Sequence, residues 1–349
     1  MNLFKKPVST IGLDIGTSMI KTVKMSKTGD KYVLDGFAIE PLEEGTIQSG
    51  EIKNPSSLAQ SAMNAVERCN PLDKNVVVAL PNFSILSDIL FMDLIPEKQM
   101  REAVLIEAER ISPFDMSEVE IDYSVLERNE ETQKMKVLMV AAKQDIILSY
   151  VDFLSEAGLQ PAVIDVDLFA LANIVHLNYD VEKCRSCILL NIGSESTVAA
   201  FLQNGIYHSS RDISVAGINY QKSLEFLPGM DAQKMHGVLQ GNISAELDAE
   251  TVANALNTAG KEFANAVGVA VSYFQSSDNV ERLDLILLTG GYALIPGLIN
   301  VLELRTGAEV SVLDPFRNIE YNDEIMVGQD PKLLGTTLSV AMGLATRRC

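Results

Sequence analysis

The sequence contains few of the residues on which metal and nucleophile chemistry depends. Its 349 residues include no tryptophan, four cysteines and three histidines, and no H-E-x-x-H motif occurs. Cys184 and Cys187 form one C-x-x-C pair without a second pair, so a zinc knuckle would lack half of its ligands. The pair also leads into an apolar strand instead of opening a helix, which is atypical of a redox motif. We therefore predict reduced structural thiols, and metallohydrolase or histidine-based catalysis is disfavoured.

Long apolar runs are absent as well. The most apolar stretch, residues 283–299, is interrupted by Asp284 and by several glycines and a proline. A membrane-spanning helix is therefore not predicted. Residues 1–7, MNLFKKP, have no apolar core and do not resemble a secretory signal. These features predict a cytoplasmic protein.

Positive charge is scarce in this chain. It has 47 acidic and 28 basic residues and a formal net charge of −19. Such a surface repels nucleic acid and anionic lipid, so a polyanionic partner is disfavoured. Residues 76–160 contain 16 acidic and 7 basic side chains, a net charge of −9. This region suits a basic partner segment, although a solvated acidic surface is the commoner reason for such a bias.

A duplicated motif indicates the fold. Short apolar segments that end at glycine alternate with amphipathic helical segments, which is typical of an α/β protein. Residues 11–21 read IGLDIGTSMIK and residues 188–198 read ILLNIGSESTV, so each predicts a strand, a glycine turn and a second strand. Because a duplicated unit of this kind builds two similar halves, we expect two lobes that face each other across a cleft.

The two glycine turns and a third glycine segment carry the candidate ligand site. Glycine lets the backbone approach a ligand closely, and the amides of such turns form a nest for phosphate oxygens. Residues 287–297, LLTGGYALIPG, lie between a strand and a helix and predict a flat backbone surface for an adenosine. We expect Asp14 to face Mg²⁺, directly or through water, and Lys21 to reach a phosphate. The full predicted set is Asp14, Gly16, Thr17, Ser18, Lys21, Asn191, Gly193, Ser194, Thr197, Gly290, Gly291 and Tyr292.

These motifs, together with residues 165–172 and 339–345, resemble the actin/Hsp70/sugar-kinase ATPase superfamily, and within it the FtsA-like PilM family of type IV pilus assembly. The most specific segments are residues 76–81, 106–114, 137–142 and 157–167. The resemblance implies an α/β, actin-like ATPase fold in which two duplicated lobes surround a nucleotide cleft. It also implies a small α+β domain, similar to SHS2 domains, inserted in the first lobe, and a site for ATP or ADP with Mg²⁺.

The resemblance also implies a division of the chain. Residues 1–75 are expected to begin the first lobe, residues 76–160 to form the inserted domain and residues 161–185 to form a connecting segment. Residues 186–313 are expected to form the second lobe, with a helical subdomain at residues 216–280, and residues 314–349 to return to the first lobe.

Three departures from the superfamily pattern predict a weakened site. Asn191 stands where most members have aspartate, and an amide carries no charge to balance Mg²⁺. Residues 232–236 lack the acid of the family's A-E-x-x-K motif, and residues 266–269 lack the charges of its E-x-R-R motif. We therefore expect nucleotide binding with weak or absent hydrolysis, and we assign no catalytic residue.

The function implied by the resemblance is that of a cytoplasmic adaptor, peripheral to the inner membrane. It would hold the cytoplasmic tail of a bitopic PilN-like protein between the first lobe and the inserted domain, in a pilus or a related type II secretion platform. Self-association fits this class, whereas nucleic acid and direct membrane insertion do not.

Two alternatives stay open. The first is a sugar or acetate kinase with Asp165 or Asp167 as its base, although these residues also suit strand ends and helix caps. The second is an FtsA-like filament-forming protein. FtsA carries a basic amphipathic C-terminal helix, and this sequence ends at residues 346–349, TRRC, directly after its last expected helix.

Overall fold

The computed structural model describes residues 8–48, 50–69, 74–278 and 282–347, so the predictions for residues 1–7 and Cys349 lie outside the described part. The strands are β1 (Val8–Ile15), β2 (Met19–Thr28), β3 (Lys31–Pro41), β4 (Ile47–Gln48), β5 (Glu51–Ile52), β6 (Asn75–Leu80), β7 (Ile85–Asp93), β8 (Val119–Asn129), β9 (Lys134–Lys143), β10 (Gln160–Val166), β11 (Ser186–Ile192), β12 (Thr197–Gln203), β13 (Ile206–Ile213), β14 (Leu285–Thr289), β15 (Glu309–Val312) and β16 (Ile319–Tyr321). The helices are α1 (Pro55–Cys69), α2 (Glu97–Ile111), α3 (Gln144–Glu156), α4 (Asp167–Asn178), α5 (Gly217–Glu225), α6 (Ala232–Leu239), α7 (Ala249–Asp278), α8 (Leu298–Thr306) and α9 (Pro331–Ala345).

Two large sheets repeat one topology, as the duplicated motif predicted. The first sheet has the strand order β10-β6-β1-β2-β3-β16, and the second has the order β13-β12-β11-β14-β15. In each, an antiparallel meander of three strands is followed by two strands that add in parallel beside the first strand. Asp14 pairs with Lys21 across the first hairpin, and Asn191 pairs with Val198 at the equivalent position of the second. The two repeats therefore present their glycine turns at the same place in each lobe.

The layers of the molecule follow from which face of each sheet is apolar. One face of the first sheet packs with α1 and α3, and one face of the second packs with α5, α7 and α8. Between the sheets lie α4 and α9, which are apolar on nearly all sides because both are covered. The two helices touch where a side chain at Gly343 would overlap the carbonyl of Ala170. Only glycine permits this approach.

A separate three-stranded sheet, in the order β7-β9-β8, forms the unit inserted in the first lobe. Helix α2 covers one of its faces through a core that includes Met100, Val104 and Val137. The unit therefore spans about residues 85–143 and is shorter than the predicted range of 76–160. Strand β6 belongs to the first sheet because it pairs with β1 and β10, and α3 packs on the core of that sheet.

In the described ranges we find no helix that combines the length and the hydropathy needed to cross a bilayer.

Candidate nucleotide site

The two glycine turns and the third glycine segment meet at one cavity of about 150 Å³ between the lobes. The cavity is lined by all but one of the predicted residues, namely Asp14, Gly16, Thr17, Ser18, Lys21, Asn191, Gly193, Ser194, Gly290, Gly291 and Tyr292. Thr197 is not among them, because it is fully buried and its hydroxyl donates to the carbonyl of Val215 at 2.9 Å. Thr197 therefore fastens the second lobe internally, and its prediction as a ligand contact is not supported.

Each glycine turn is closed by a backbone hydrogen bond of its own. The amide of Gly16 donates to the carbonyl of Met19 at 3.1 Å, and the amide of Gly193 donates to the carbonyl of Ser196 at 3.0 Å. These two glycine amides are therefore already used inside the hairpins. The contribution of the two glycines is that they have no side chains, which leaves the backbone of each turn uncovered.

The amides available to a ligand belong to the residues that follow each glycine. Among the described residues, no acceptor is found for the backbone amides of Thr17 and Ser18, or for those of Ser194 and Glu195. All four residues line the cavity. Neighbouring amides without protein acceptors form a nest for anionic oxygens, and here one such pair faces the cavity from each lobe.

The predicted metal ligand and the predicted phosphate contact are paired with each other. The amine of Lys21 lies 2.9 Å from a carboxylate oxygen of Asp14, and both side chains are nearly buried. The same amine lies close to the first turn, since a methyl group placed on Gly16 would be 2.8 Å from it. A phosphate or a metal ion that entered the cavity would therefore compete for one partner of an existing ion pair.

Asp167 lines the cavity, although its place in the sequence suited mainly a strand end or a helix cap. It opens α4, and its carboxylate accepts a hydrogen bond from the amide of Leu168 at 2.6 Å and another from the amide of Asn82. Burial raises the pKa of Asp167 to about 7, and the charge of Asp14 adds to this effect. The cavity therefore contains an acid that changes its charge near neutral pH.

Asp165, the other acid of the same segment, does not line the cavity. Its carboxylate is buried and forms a bidentate pair with Arg347, with distances of 2.5 Å to Nε and 2.8 Å to Nη2. Asp165 therefore anchors the end of the described chain. Because it is paired with Arg347 outside the cavity, it is not placed to act as a base there.

The third glycine segment is fixed to both halves of the molecule. Gly290 has a φ angle of +91°, and a side chain there would overlap the carbonyl of Ile192 at the end of β11. Its amide donates to the carbonyl of Thr336 in α9 at 3.0 Å, and the hydroxyl of Thr289 donates to that of Ser339 at 2.8 Å. The neighbouring Gly291 has open space where its side chain would be. The segment thus presents bare backbone to the cavity.

A wider cavity of about 500 Å³ continues from the first and shares Gly291 and Tyr292 with it. Helix α6 contributes Met235 and His236, from the segment that departs from the superfamily pattern. The lysine of that segment, Lys234, does not line the cavity, because its amine pairs with Glu246 at 2.7 Å. This half of the site has both apolar and polar lining residues, and α6 contributes no acid to it.

Asn82 connects the cavity region to the second lobe. Its side-chain amide donates to Asp212 at 2.8 Å, and its carbonyl oxygen accepts from the hydroxyl of Ser210 at 2.9 Å. Its neighbours Pro81 and Phe83 both line the cavity. The turn that leads into the inserted unit is therefore bonded to the opposite lobe at the mouth of the site.

Comparison with known proteins extends these observations. A model of the family described as type IV pilus assembly protein PilM matches residues 12–349. A chain from a structure titled "PilM-PilN type IV pilus biogenesis complex" is 24% identical, with a TM-score of 0.82 over 97% of this chain and 98% of that one. The ethanolamine utilization protein EutJ from Carboxydothermus hydrogenoformans is 13% identical, with a TM-score of 0.58 over 97% and 91% of the two chains. MreB5 of Spiroplasma citri bound to ADP is 14% identical, with a TM-score of 0.53 over 96% and 94%.

The two solved structures at lower similarity show that the fold is that of actin-like proteins, in agreement with the duplicated sheets. The family match covers nearly the whole chain, including both glycine turns, the inserted unit and the third glycine segment. The chain therefore belongs to the PilM family of type IV pilus assembly proteins.

Proposed function

We propose that this protein is a nucleotide-binding adaptor of a pilus inner-membrane platform, which holds the cytoplasmic tail of a PilN-like membrane protein. The observation that carries the proposal is the match of residues 12–349 to the PilM family. The chain from the PilM–PilN complex shares the fold over nearly its full length, which supports the choice of partner.

The proposed nucleotide is ATP or ADP, with its phosphates between the two turns. The free amides of Thr17 and Ser18 in one lobe, and of Ser194 and Glu195 in the other, would receive the phosphate oxygens. The adenosine would lie on the bare backbone at Gly291 and extend into the wider cavity. ADP bound to an MreB protein of similar fold is consistent with this assignment.

The side chains at the cavity suit Mg²⁺ only when the ion binds together with the nucleotide. In the described ranges no cluster of three or more acidic, histidine or cysteine side chains is placed to hold a metal ion. Mg²⁺ in nucleotide sites is commonly held by one or two carboxylates, phosphate oxygens and water. Asp14 would supply the carboxylate once Lys21 turns to a phosphate, and the bound ion would neutralise phosphate charge.

A thermal-shift titration with Mg-ATP tests this part of the proposal. Binding to the folded state should stabilise the protein by about 2.7 kcal/mol at a hundredfold excess over Kd. Gly291→Val is the informative variant, because its side chain meets open space and should leave the fold intact while covering the backbone surface for the adenosine. A wild-type protein that shows no shift at millimolar Mg-ATP, or a variant that shifts equally, would contradict the proposed site.

The proposed tail-binding surface is the exposed edge of the inserted sheet. Strand β8 is an edge strand with Glu120 and Asp122 among its exposed side chains, and the exposed Glu118 directly precedes it. Asp122 also acts electrostatically on Arg347 at the end of the first lobe, so this edge faces the junction between lobe and insertion. A peptide could add to such an edge as a strand, and the acidic side chains would attract the basic residues that flank a membrane anchor on its cytoplasmic side.

Calorimetry with a synthetic basic tail peptide tests this surface. Reversing Glu118, Glu120 and Asp122 to lysine should weaken peptide binding and leave the Mg-ATP thermal shift unchanged, because charge complementarity governs partner choice and encounter. The matched control reverses three exposed acids elsewhere on the insertion, namely Glu102, Glu109 and Glu130. Equal losses of peptide affinity in both triple variants would indicate a general charge effect and would contradict the edge of β8 as the tail-binding surface.

One observation favours a second function, phosphoryl transfer to a small molecule. Asp167 lines the cavity with a pKa raised to about 7, which suits a general base at neutral pH. Steady-state assays with candidate acceptors would decide, since an enzyme of typical activity turns over at about 10 s⁻¹. Turnover at that rate, if Asp167→Asn abolishes it, would support the kinase and would contradict an adaptor that has no catalytic activity.

A further inference from the structure

A cavity in the second lobe lies apart from the nucleotide site and shares no lining residue with it. It has a volume of about 420 Å³, which is in the usual range for small-molecule sites of about 300–1,000 Å³. Helix α7 forms one wall and the first turn of α8 forms another. The residues that matter to its chemistry are Tyr220, Asn254, Asn257, Gly260, Asn300 and Val301.

The first observation is an unpartnered hydroxyl at this cavity. Tyr220 is 1% exposed, and no described residue forms a hydrogen bond with its hydroxyl. Leaving such a group unpaired in the interior costs about 1–3 kcal/mol. Phenylalanine would fill the same space beside Phe263 without that cost. The hydroxyl therefore indicates a hydrogen-bonding partner that is not part of the chain.

The second observation concerns Gly260, a position at which neither crowding nor backbone conformation requires glycine. Gly260 lies inside α7, where glycine costs about 1 kcal/mol relative to alanine. A methyl group placed there would lie 3.5 Å from the side chain of Val301 and 3.7 Å from the Tyr220 hydroxyl, which are ordinary contact distances. Alanine would therefore fit. The lack of this methyl group leaves a gap between Gly260 and the hydroxyl, and Gly260 and Tyr220 both line the cavity.

The remaining lining groups define the chemistry of the ligand. Among the residues that the structure describes, no aspartate, glutamate, lysine, arginine or histidine lines the cavity, whereas Asn254, Asn257 and Asn300 do. The residue before α8, Gly297, provides no side-chain cap, and the amide of Leu298 donates to the carbonyl of Ile295. Among the described residues no backbone acceptor is found for the amide of Asn300, so the first turn of the helix still offers a donor at its positive end. Neutral donors at a helix start suit a singly charged anion better than a doubly charged phosphate.

We propose that this cavity binds a small organic monocarboxylate. One carboxylate oxygen accepts a hydrogen bond from the Tyr220 hydroxyl through the gap at Gly260, and the other is held by the asparagine carboxamides and the first turn of α8. The apolar part of the ligand rests on Leu256 and Val301. Because the site shares no residue with the nucleotide cavity, the proposal stands independently of the function proposed above.

Saturation-transfer NMR with butyrate tests the proposal, with butyramide as the neutral ligand of the same shape and inorganic phosphate as the doubly charged one. Two variants alter the site in opposite ways. Tyr220→Phe removes the hydroxyl, and Gly260→Ala fills the gap next to it. Thr258→Ala is the matched control, because it lies on α7, its hydroxyl bonds to the carbonyl of Asn254 within the helix, and its side chain does not line the cavity.

Butyrate should bind the wild type with a millimolar Kd, and each site variant should weaken it by at least about tenfold, the effect of one lost hydrogen bond to a charged group. Thr258→Ala should bind normally, and butyramide and phosphate should bind poorly. Without ligand, both site variants should melt at the wild-type temperature or above it, since one removes an unpaired hydroxyl and the other a helical glycine.

Absence of butyrate binding up to about 50 mM would overturn the proposal. Equal binding of butyrate and butyramide, or undiminished binding in Gly260→Ala, would do so as well. If Tyr220→Phe proves unstable, Gly260→Ala still decides the question, because alanine favours the helix and meets no close contact.

Discussion

Replacing Asp167 by asparagine should change how the stability of the protein depends on pH. Burial raises the pKa of Asp167 from its ordinary value of 3.8 to about 7 in the folded state. Between these two values the folded protein keeps a proton that the unfolded chain has released. Unfolding therefore releases a proton in this window, so stability falls as the pH rises from about 4 to 7 and levels off above it. In Asp167→Asn the side chain does not titrate, so this fall of stability with pH is absent.

The magnitude follows from the size of the shift. A change of about three pKa units corresponds to at most about 4 kcal/mol between the two ends of the window. Asp167 also faces the cavity, where water reaches it, and asparagine keeps one acceptor for the amides of Leu168 and Asn82. We therefore expect the variant to gain about 1–2 kcal/mol on the wild type between pH 5 and pH 8.

Urea unfolding followed by far-ultraviolet circular dichroism measures the effect, and nucleotide is left out so that no ligand charge affects Asp167. The midpoints of the two proteins should lie closest at about pH 5 and diverge at about pH 8, with the variant more stable. Asp152→Asn, at an exposed position of α3, removes the same formal charge away from the cavity and serves as the control. The reasoning fails if the difference between Asp167→Asn and the wild type is the same at both pH values.

Three further substitutions test the contacts around the site. Arg347→Ala should destabilise the protein by about 2–3 kcal/mol in urea unfolding, because it leaves the carboxylate of Asp165 buried without a charged partner and with only the amide of Val166 as a donor; a loss below about 0.5 kcal/mol would mark the pair as unimportant. Gly290→Ala should both lower the melting temperature and abolish the Mg-ATP shift, since a methyl group would overlap the carbonyl of Ile192. Asn82→Ala should cost about 1–3 kcal/mol by removing two hydrogen bonds to the second lobe, and an unchanged urea midpoint would show that water replaces them.

The sequence was sufficient to predict the two strand–turn–strand units, because their signals are local and occur twice. The pairing of Asp14 with Lys21 was not predicted, although a hairpin that turns at Gly16 places the two residues opposite each other. The predicted range of the inserted unit includes β6, whose sequence resembles any buried strand, whereas the structure pairs β6 with the first sheet. Its membership of the first sheet depends on β1 and β10, which are distant in the chain.

The same limitation explains the residues that were missed. Asp167 follows β10, and only the pairing of that strand with β6 brings its carboxylate to the cavity beside Asn82. Thr197 was expected at the ligand because it stands in the repeated motif, yet its side chain points into its own lobe and bonds to Val215. A motif locates a turn, whereas the direction of each side chain depends on the register of the strands around it.

The contact of α4 with α9 at Gly343 restricts how the lobes can move. These helices fill the space between the two sheets, and at this point their backbones are already in contact. Because nothing separates them there, the sheets cannot approach further along the line that joins the two helices. A side chain at Gly343 would meet the carbonyl of Ala170 well inside contact distance, so α4 and α9 would have to move apart to accept it. The spacing of the two sheets therefore depends on the absence of a side chain at this one position.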